Sequence, residues 1–348
     1  MVAWNGAKYI PYLFESLRKQ TYKDWELLAI DNNSQKDNTA DLMEKELKDF
    51  PVPARLIRNK ENNGFAGGHN QCVRSIVNSS ESIEYIQLLN QDMYLDSDYF
   101  EKVVAMMDAR QEAGAGQGVL LRWDFSKVDS RQFIDYSKSL TNVIDTMGLQ
   151  VLRNRRVVDY ETGKILSTID YSLSTPQEVF GVSGALPIYR RKAIEEVMFE
   201  GNMFDDEFGS YKEDVDLGFR LRSAGWKAYV TTDARAWHDR TAAGPQEKSD
   251  QAAMQNRKGR AAYVNYYSYR NHLVVLLKNE HRANLVQDWP AIVWYELKKL
   301  VYLFCTDWAT LKGLREVMKL WPRIMQKRKF IMAHYKVKPE EMRKWYAP

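Results

Sequence analysis

The chain of 348 residues is 45% hydrophobic and 28% charged, an ordinary globular composition with room for one large domain plus an extension, or for two modest domains. Its 50 Lys and Arg against 46 Asp and Glu give a net charge of only +4, which argues against a nucleic-acid binder. Cys72 and Cys305 have no pairing motif, which argues against a disulfide framework or a thiolate zinc site and fits a reducing cytosol.

The chain start lacks the basic-then-apolar pattern of a signal peptide, and no uncharged apolar run reaches the roughly 18 residues that span a bilayer. A cytoplasmic protein is expected, free or peripheral on the inner face of the plasma membrane. Val2, Ala3 and Trp4 read as the end of a strand. Ile10, Leu13, Phe14 and Leu17 follow at helical spacing, with Pro11 tolerated near the helix start. Trp25 to Ile30 reads as a strand, Leu42, Met43 and Leu47 mark a helix, and Arg55 to Arg58 is a short strand. Gly67 to Asn78 reads as a Gly-opened helix, Tyr85 to Leu89 as a buried strand and Tyr99 to Met107 as a helix. This alternation predicts an α/β fold with a mostly parallel central sheet flanked by helices. Ligands of such sheets sit beyond the carboxyl ends of the strands. The segments there, such as Asp31 to Ser34 and Asn90 to Asp92, are polar, small and acidic.

Residues 122–178 are less regular, and Gly148 to Val158 with Thr162 to Lys164 suggests a hairpin laid over the sheet. Val215 to Ala224 reads as a helix stopped by Gly225, and Lys227 to Thr231 as a strand. Helices follow from about residue 255, so the chain divides into a domain over 1–250 and a basic helical extension over 251–348. From Val293 to Pro348 there are 13 Lys and Arg but 5 Asp and Glu. Val293, Leu297, Leu300, Phe304, Trp308 and Leu311 form one apolar stripe at helical spacing. Two readings fit it. One is a helix packed on the rest of the chain or on a partner. The other is an interfacial helix on an anionic membrane, with Trp289, Trp294, Trp308 and Trp321 at headgroup depth.

Five segments carry a resemblance: the strand end at Trp4 to Gly6, Ala29 to Ser34, Asn62 to Asn70, Leu88 to Asp92, and Tyr211 to Leu217 continuing to Trp237 and His238. In this order and spacing the sequence resembles the family 2 glycosyltransferases of the GT-A fold, and within them bacterial rhamnosyltransferase-like members that act on surface polysaccharides. The first strand is shorter than is usual in that family, so the chain start is expected to be cut short. The resemblance fades in the last hundred residues.

The resemblance implies an inverting transfer of a sugar from a dTDP- or UDP-linked donor to a hydroxyl of a glycan or lipid-linked glycan. Asp92 would hold Mg2+ or Mn2+ against the diphosphate, since a hard cation held by carboxylate neutralises a leaving diphosphate without proton transfer. The plainer reading is that Asp92 caps a turn. Asn90 stands where the family often has a second Asp, and would bond ribose or water without bringing charge. His238 would complete the metal shell; otherwise it is a satisfied histidine.

Asp31 would accept the imide N–H of the base, or serve an Asx turn with Asn33. Val2, Ala3 and Trp4 would flank the base, with Trp4 stacked on it. Gly64, Gly67 and Gly68, with Asn70 closing the same motif, would let the backbone approach the donor at a helix start that favours anions. Gly184, within Gly181 to Ala185, would floor the sugar. Asp214 would be the general base and Glu213 would orient it or the acceptor; plain helix capping is the alternative for both. Asp216 is expected to pair with Arg220. A competing reading is a non-catalytic nucleotide- or glycan-binding protein on the same fold.

Overall fold

The computed structural model describes residues 1–79, 82–128, 137–169, 176–240 and 249–348. The first half alternates as its hydrophobic periodicity predicts: β1 (Val2–Ala3), α1 (Ile10–Arg18), β2 (Leu27–Asp31), α2 (Thr39–Glu46), β3 (Ala54–Arg58), α3 (Gly64–Val77), β4 (Tyr85–Gln87), β5 (Met93–Leu95) and α4 (Tyr99–Asp108). Then come β6 (Ala113–Trp123), β7 (Leu140–Thr146), β8 (Leu149–Leu152), β9 (Val157–Asp159), β10 (Gln177–Val179), β11 (Ile188–Arg190), α5 (Arg191–Val197), α6 (Glu213–Ser223) and β12 (Lys227–His238). The rest is helical, α7 (Asp250–Lys258), α8 (Ala262–Asn279), α9 (Arg282–Thr306), α10 (Trp308–Ala333) and α11 (Pro339–Arg343), closed by β13 (Tyr346–Ala347).

Parallel pairing is narrower than the alternation predicted. The first sheet, β1-β2-β3, is parallel throughout, because α1 and α2 each return the chain to the same end. The second sheet runs β10-β12-β6-β11-β4, with β5 also on β12 and β7 also on β6. There only β6 and β12 are parallel, and the other pairings are antiparallel. The expected hairpin is present: β8 and β9 pair antiparallel, and β13 adds to β8 in parallel.

The core lies between these sheets and their helices. Ile10, Leu13, Phe14 and Leu17 of α1 are completely buried, one stripe at the period of a helix. Gly116 and Gly118 of β6 have no room for a side chain: an added Cβ would stand 2.6 Å from Met106 and 2.5 Å from Tyr99.

The C-terminal helices dock on residues 1–250 through buried ion pairs. Lys278 of α8 lies 2.5 Å from Asp205 and 2.8 Å from Asp216, and Lys327 of α10 lies 2.5 Å from Asp205. Arg155, at the β8–β9 turn, meets Glu280 at 2.5 Å and Asp288 of α9 at 3.1 Å. Such pairs add little net stability but cost several kcal/mol to break from one side, roughly 3–5, so they dictate one docking geometry.

The apolar stripe expected to run from Val293 to Leu311 is divided between two helices. Asp307 leaves helical geometry at φ −150° and caps α10 by accepting from the Thr310 amide at 3.1 Å. The outer face is apolar all the same: Trp289, Val293, Trp294, Leu297, Phe304 and Trp308 are exposed, Trp294 by 61%. Among the described residues no helix is long and apolar enough to cross a membrane.

Candidate active site

Strand register assembles the first part of the site. In β5 and β12, Met93 pairs with His238, and the Asp239 amide donates to the Asp92 carbonyl at 3.1 Å. Asp92, one residue before β5, is therefore held beside the end of β12, and its Oδ2 lies 3.5 Å from His238 Nε2. On the other ring nitrogen, Nδ1, His238 meets Asp145 Oδ2 of β7 at 2.9 Å. A carboxylate on one imidazole nitrogen fixes the ring and aims the other at a metal. Burial disfavours a charged ring, but Asp92 and Asp145 outweigh it and push His238 up to about 10. Asp145, itself buried, is held below the usual carboxylate range by Arg240 and His238.

Donors about 2.1 Å from one octahedral cation lie about 3.0 Å apart at right angles. The 3.5 Å between Asp92 and His238 asks for only a moderately wider angle. Among the described residues no group of three or more His, Cys, Asp or Glu is gathered to hold a metal ion. Asp92 and His238 thus fit two positions of a shell that diphosphate and water would complete, as is common for Mg2+.

The second part comes from the start of α6. Asp214 accepts from the Gly184 amide at 3.1 Å through Oδ2 and from the Val215 amide at 2.8 Å through Oδ1. A Cβ on Gly184 would meet the Asp214 Cβ at 3.4 Å and Phe65 at 3.5 Å, ordinary contact distances, so Gly184 packs directly against Asp214 without the glycine being required for it. Glu213 is buried with Oε2 unpartnered. Burial and the neighbouring Asp214 hold its carboxyl well above the ordinary range. Asp216 does pair with Arg220, at 2.9 Å. Tyr211 and Lys212, just before the helix, have φ of 70° and 72°, a left-handed region costly for side-chain-bearing residues. The Asn271 amide of α8 steadies them, reaching the carbonyls of Phe208, Ser210 and Tyr211 at 3.0, 2.9 and 2.7 Å.

Asp92, His238, Glu213, Asp214, Asn90 and Gly184 line one cleft of about 430 Å³. Trp4 and Asp31 lie outside its lining, at the carboxyl ends of β1 and β2. Trp4 is half exposed, and Asp31 is buried with Oδ1 unpartnered, while Oδ2 accepts from the Ser34 amide at 3.2 Å. The bond falls on Ser34, three residues on, rather than on Asn33 as an Asx turn would have it, and one carboxylate oxygen is left over.

The remaining donor-side residues have other work. The Ala3 methyl is in the core. Gly68 packs on Val2, whose Cγ1 would stand 2.9 Å from an added Cβ. The Asn70 amide is buried and spent on the Phe204 backbone, donating to its carbonyl and accepting from its amide at 2.8 Å each. Asn70 is therefore not free for a ligand, and Gly68 serves helix–strand packing. Gly67 is partly exposed in the first turn of α3. At that helix start the Ala66 amide already donates to Gly209 at 3.0 Å, which reduces its room for an anion.

Compared with known proteins, the sequence profile of glycosyl transferase family 2 matches residues 1–198. The chain belongs to glycosyl transferase family 2. The matched part of this family 2 chain includes Asp31 and Asp92, while Asp214 and His238 lie beyond it. No curated protein matches the sequence. GalNAc-T7, solved with UDP, GalNAc and Mn2+, is 11% identical over 80% of this chain and 47% of its own, with a TM-score of 0.55, a likeness that shows the GT-A fold. The chain thus spans about half the length of GalNAc-T7. A Pyrobaculum calidifontis mannosyltransferase with GDP-Man and Mn2+ is 14% identical over 96% of this chain and 84% of its own, at a TM-score of 0.49. S. aureus TarS 1–349 with UDP is 14% identical over 99% and 81%, at 0.47.

Proposed function

We propose that this family 2 chain is an inverting, metal-dependent glycosyltransferase that moves a sugar from a dTDP- or UDP-linked donor to a hydroxyl of a glycan or lipid-linked glycan. The observation that carries this reading is the meeting of Asp92, His238 and Asp214 on one cleft. Asp92 and His238 would hold Mg2+ or Mn2+, steadied by Asp145. A bound divalent cation supplies the positive charge that a departing diphosphate needs. Asp214, held by the Gly184 and Val215 amides, takes the proton of the acceptor hydroxyl as that oxygen bonds to the anomeric carbon. The bond to the diphosphate breaks on the opposite face, so the configuration inverts. Glu213, less ready to ionise, orients Asp214 or the acceptor. The spare Asp31 oxygen suits the imide N–H of uracil or thymine, with Trp4 beside it.

Rhamnose as the sugar and surface polysaccharide as the pathway follow from the resemblance of the motifs to rhamnosyltransferase-like members. The exposed tryptophans of α9 and α10 within a basic segment support a peripheral site on the inner face of the plasma membrane. Asp214→Asn tests the base. Transfer should fall about 10²- to 10⁴-fold, while titration with UDP or dTDP and Mn2+ shows near-normal binding. Full activity in this variant removes Asp214 from the mechanism. Wild-type binding without any transfer would instead favour a non-catalytic nucleotide-binding protein.

A further inference from the structure

The cleft carries charge of both signs. Asp92, His238 and Asp214 line it together with Arg156, Lys212, Arg257 and Lys299, which bring positive charge from the β8–β9 turn, the start of α6, α7 and α9. Arg257 is answered by Asp307 at 3.1 Å. Among the described residues neither lysine has a carboxylate in salt-bridge contact. Lys212 Nζ reaches only the Val157 carbonyl at 3.3 Å, and Lys299 Nζ stands over the rings of Tyr269 and Tyr295 at 4.5 and 5.3 Å.

Both ammonium groups are enclosed by protein yet open to the cleft. Burial pulls each down to about 8, and like charge adds to it: Lys299 and Arg156 act on Lys212, Arg257 and Arg156 on Lys299. Opposing this, Asp214 and Asp159 face Lys212, and Glu296 faces Lys299. Gathered cations are costly until an anion joins them. The backbone gives an independent sign. Lys212 is held left-handed, next to a left-handed Tyr211, by the wholly buried Asn271. Backbone strain of this kind persists where surrounding structure imposes it, often at ligand sites.

We propose that Lys212 and Lys299, with Arg156 and Arg257, bind a phosphate or diphosphate group of the acceptor, in a subsite separate from the donor diphosphate at Asp92 and His238. That the acceptor is the source rests on the glycosyl-transfer reading; that the subsite takes phosphate does not. Lys212 and Asp214 line the same cleft, and the carboxylate acts on the ammonium, so the bound phosphate lies near the hydroxyl that Asp214 deprotonates. The acceptor class is then a sugar phosphate or sugar diphosphate, rather than the far end of a long neutral glycan.

The test is calorimetric titration of the full chain with inorganic pyrophosphate in EDTA, which leaves no cation to recruit it at Asp92. Wild type should bind, Lys299→Met should bind at least tenfold more weakly, Lys299→Arg should keep binding, and Asp92→Asn should be unchanged. UDP with Mn2+ should show the reverse, weakened by Asp92→Asn and unaffected by Lys299→Met. No metal-free binding, or equal binding by wild type and Lys299→Met, overturns the subsite. Equal losses of pyrophosphate and UDP in Lys299→Met assign the cations to the donor and overturn the acceptor assignment. Pyrophosphate binding without nucleotide binding by any form overturns the acceptor assignment together with the glycosyl-transfer reading, and leaves the anion subsite standing.

Discussion

Asp145 lies behind His238, 2.9 Å from its Nδ1, and decides which nitrogen of that ring faces Asp92, while its other oxygen stands 3.8 Å from Arg240. Asp145→Asn should lower the affinity for Mn2+ about 10- to 100-fold, as loss of a carboxylate behind a metal-binding histidine does. Mn2+ titration in the presence of UDP reads this directly, and an unchanged affinity removes Asp145 from the site. Lys299 offers a pH measurement. Its folded value of about 8 lies below that of an unfolded lysine. Between about pH 8 and 10.4 the unfolded chain therefore holds more protons, so the folded state gains stability as pH rises through that window. Lys299→Met removes part of this slope and stabilises the protein at pH 7 by about 1 kcal/mol after allowance for screening. Urea unfolding at pH 7 and 10 checks both signs. A group that costs stability when empty is one that a ligand is suited to repay.

At the scale of elements, α9 has two opposed faces. Lys299 points into the cleft, whereas Val293, Trp294 and Leu297 are exposed on the outside. The exposed apolar surface continues onto Trp308 of α10. Membrane contact through this face predicts that Trp294→Ser combined with Trp308→Ser weakens binding to vesicles containing anionic phospholipid about tenfold. Neutral vesicles should bind poorly even to wild type, and added salt should release the protein. Vesicle sedimentation distinguishes this from a self-association face, whose basic flanks would repel a second copy. Neither tryptophan lines the cleft, so transfer to a water-soluble acceptor should be unchanged.

At the scale of the whole molecule, the cleft is shared by residues 1–250 and the C-terminal helices: α7, α8 and α9 supply Arg257, His272 and Lys299. Ligands that bind the folded state raise its melting temperature, by the equivalent of about 2.7 kcal/mol at a hundredfold excess over Kd. Thermal shifts with dTDP- and UDP-sugars should therefore appear with Mn2+ and shrink without it. A flat response to every nucleotide sugar would contradict the proposed donor site at Asp31 and Trp4.

Local pattern was enough for the elements of the first half, for the β8–β9 hairpin, and for the Asp216–Arg220 pair, because each depends on spacing along one segment. The ordered motifs also pointed to Asp92, Asp214 and His238 as neighbours, since residues at strand ends and helix starts share one edge of the sheet. What sequence could not reveal depended on partners distant along the chain. Asp145 was hidden in an irregular stretch, Asn70 was spent on Phe204, and Asn271 was anonymous within a long helix. The basic lining of the cleft was invisible for the same reason. Its cations are separated by as many as 143 positions, from Arg156 to Lys299, and only packing makes like charges neighbours.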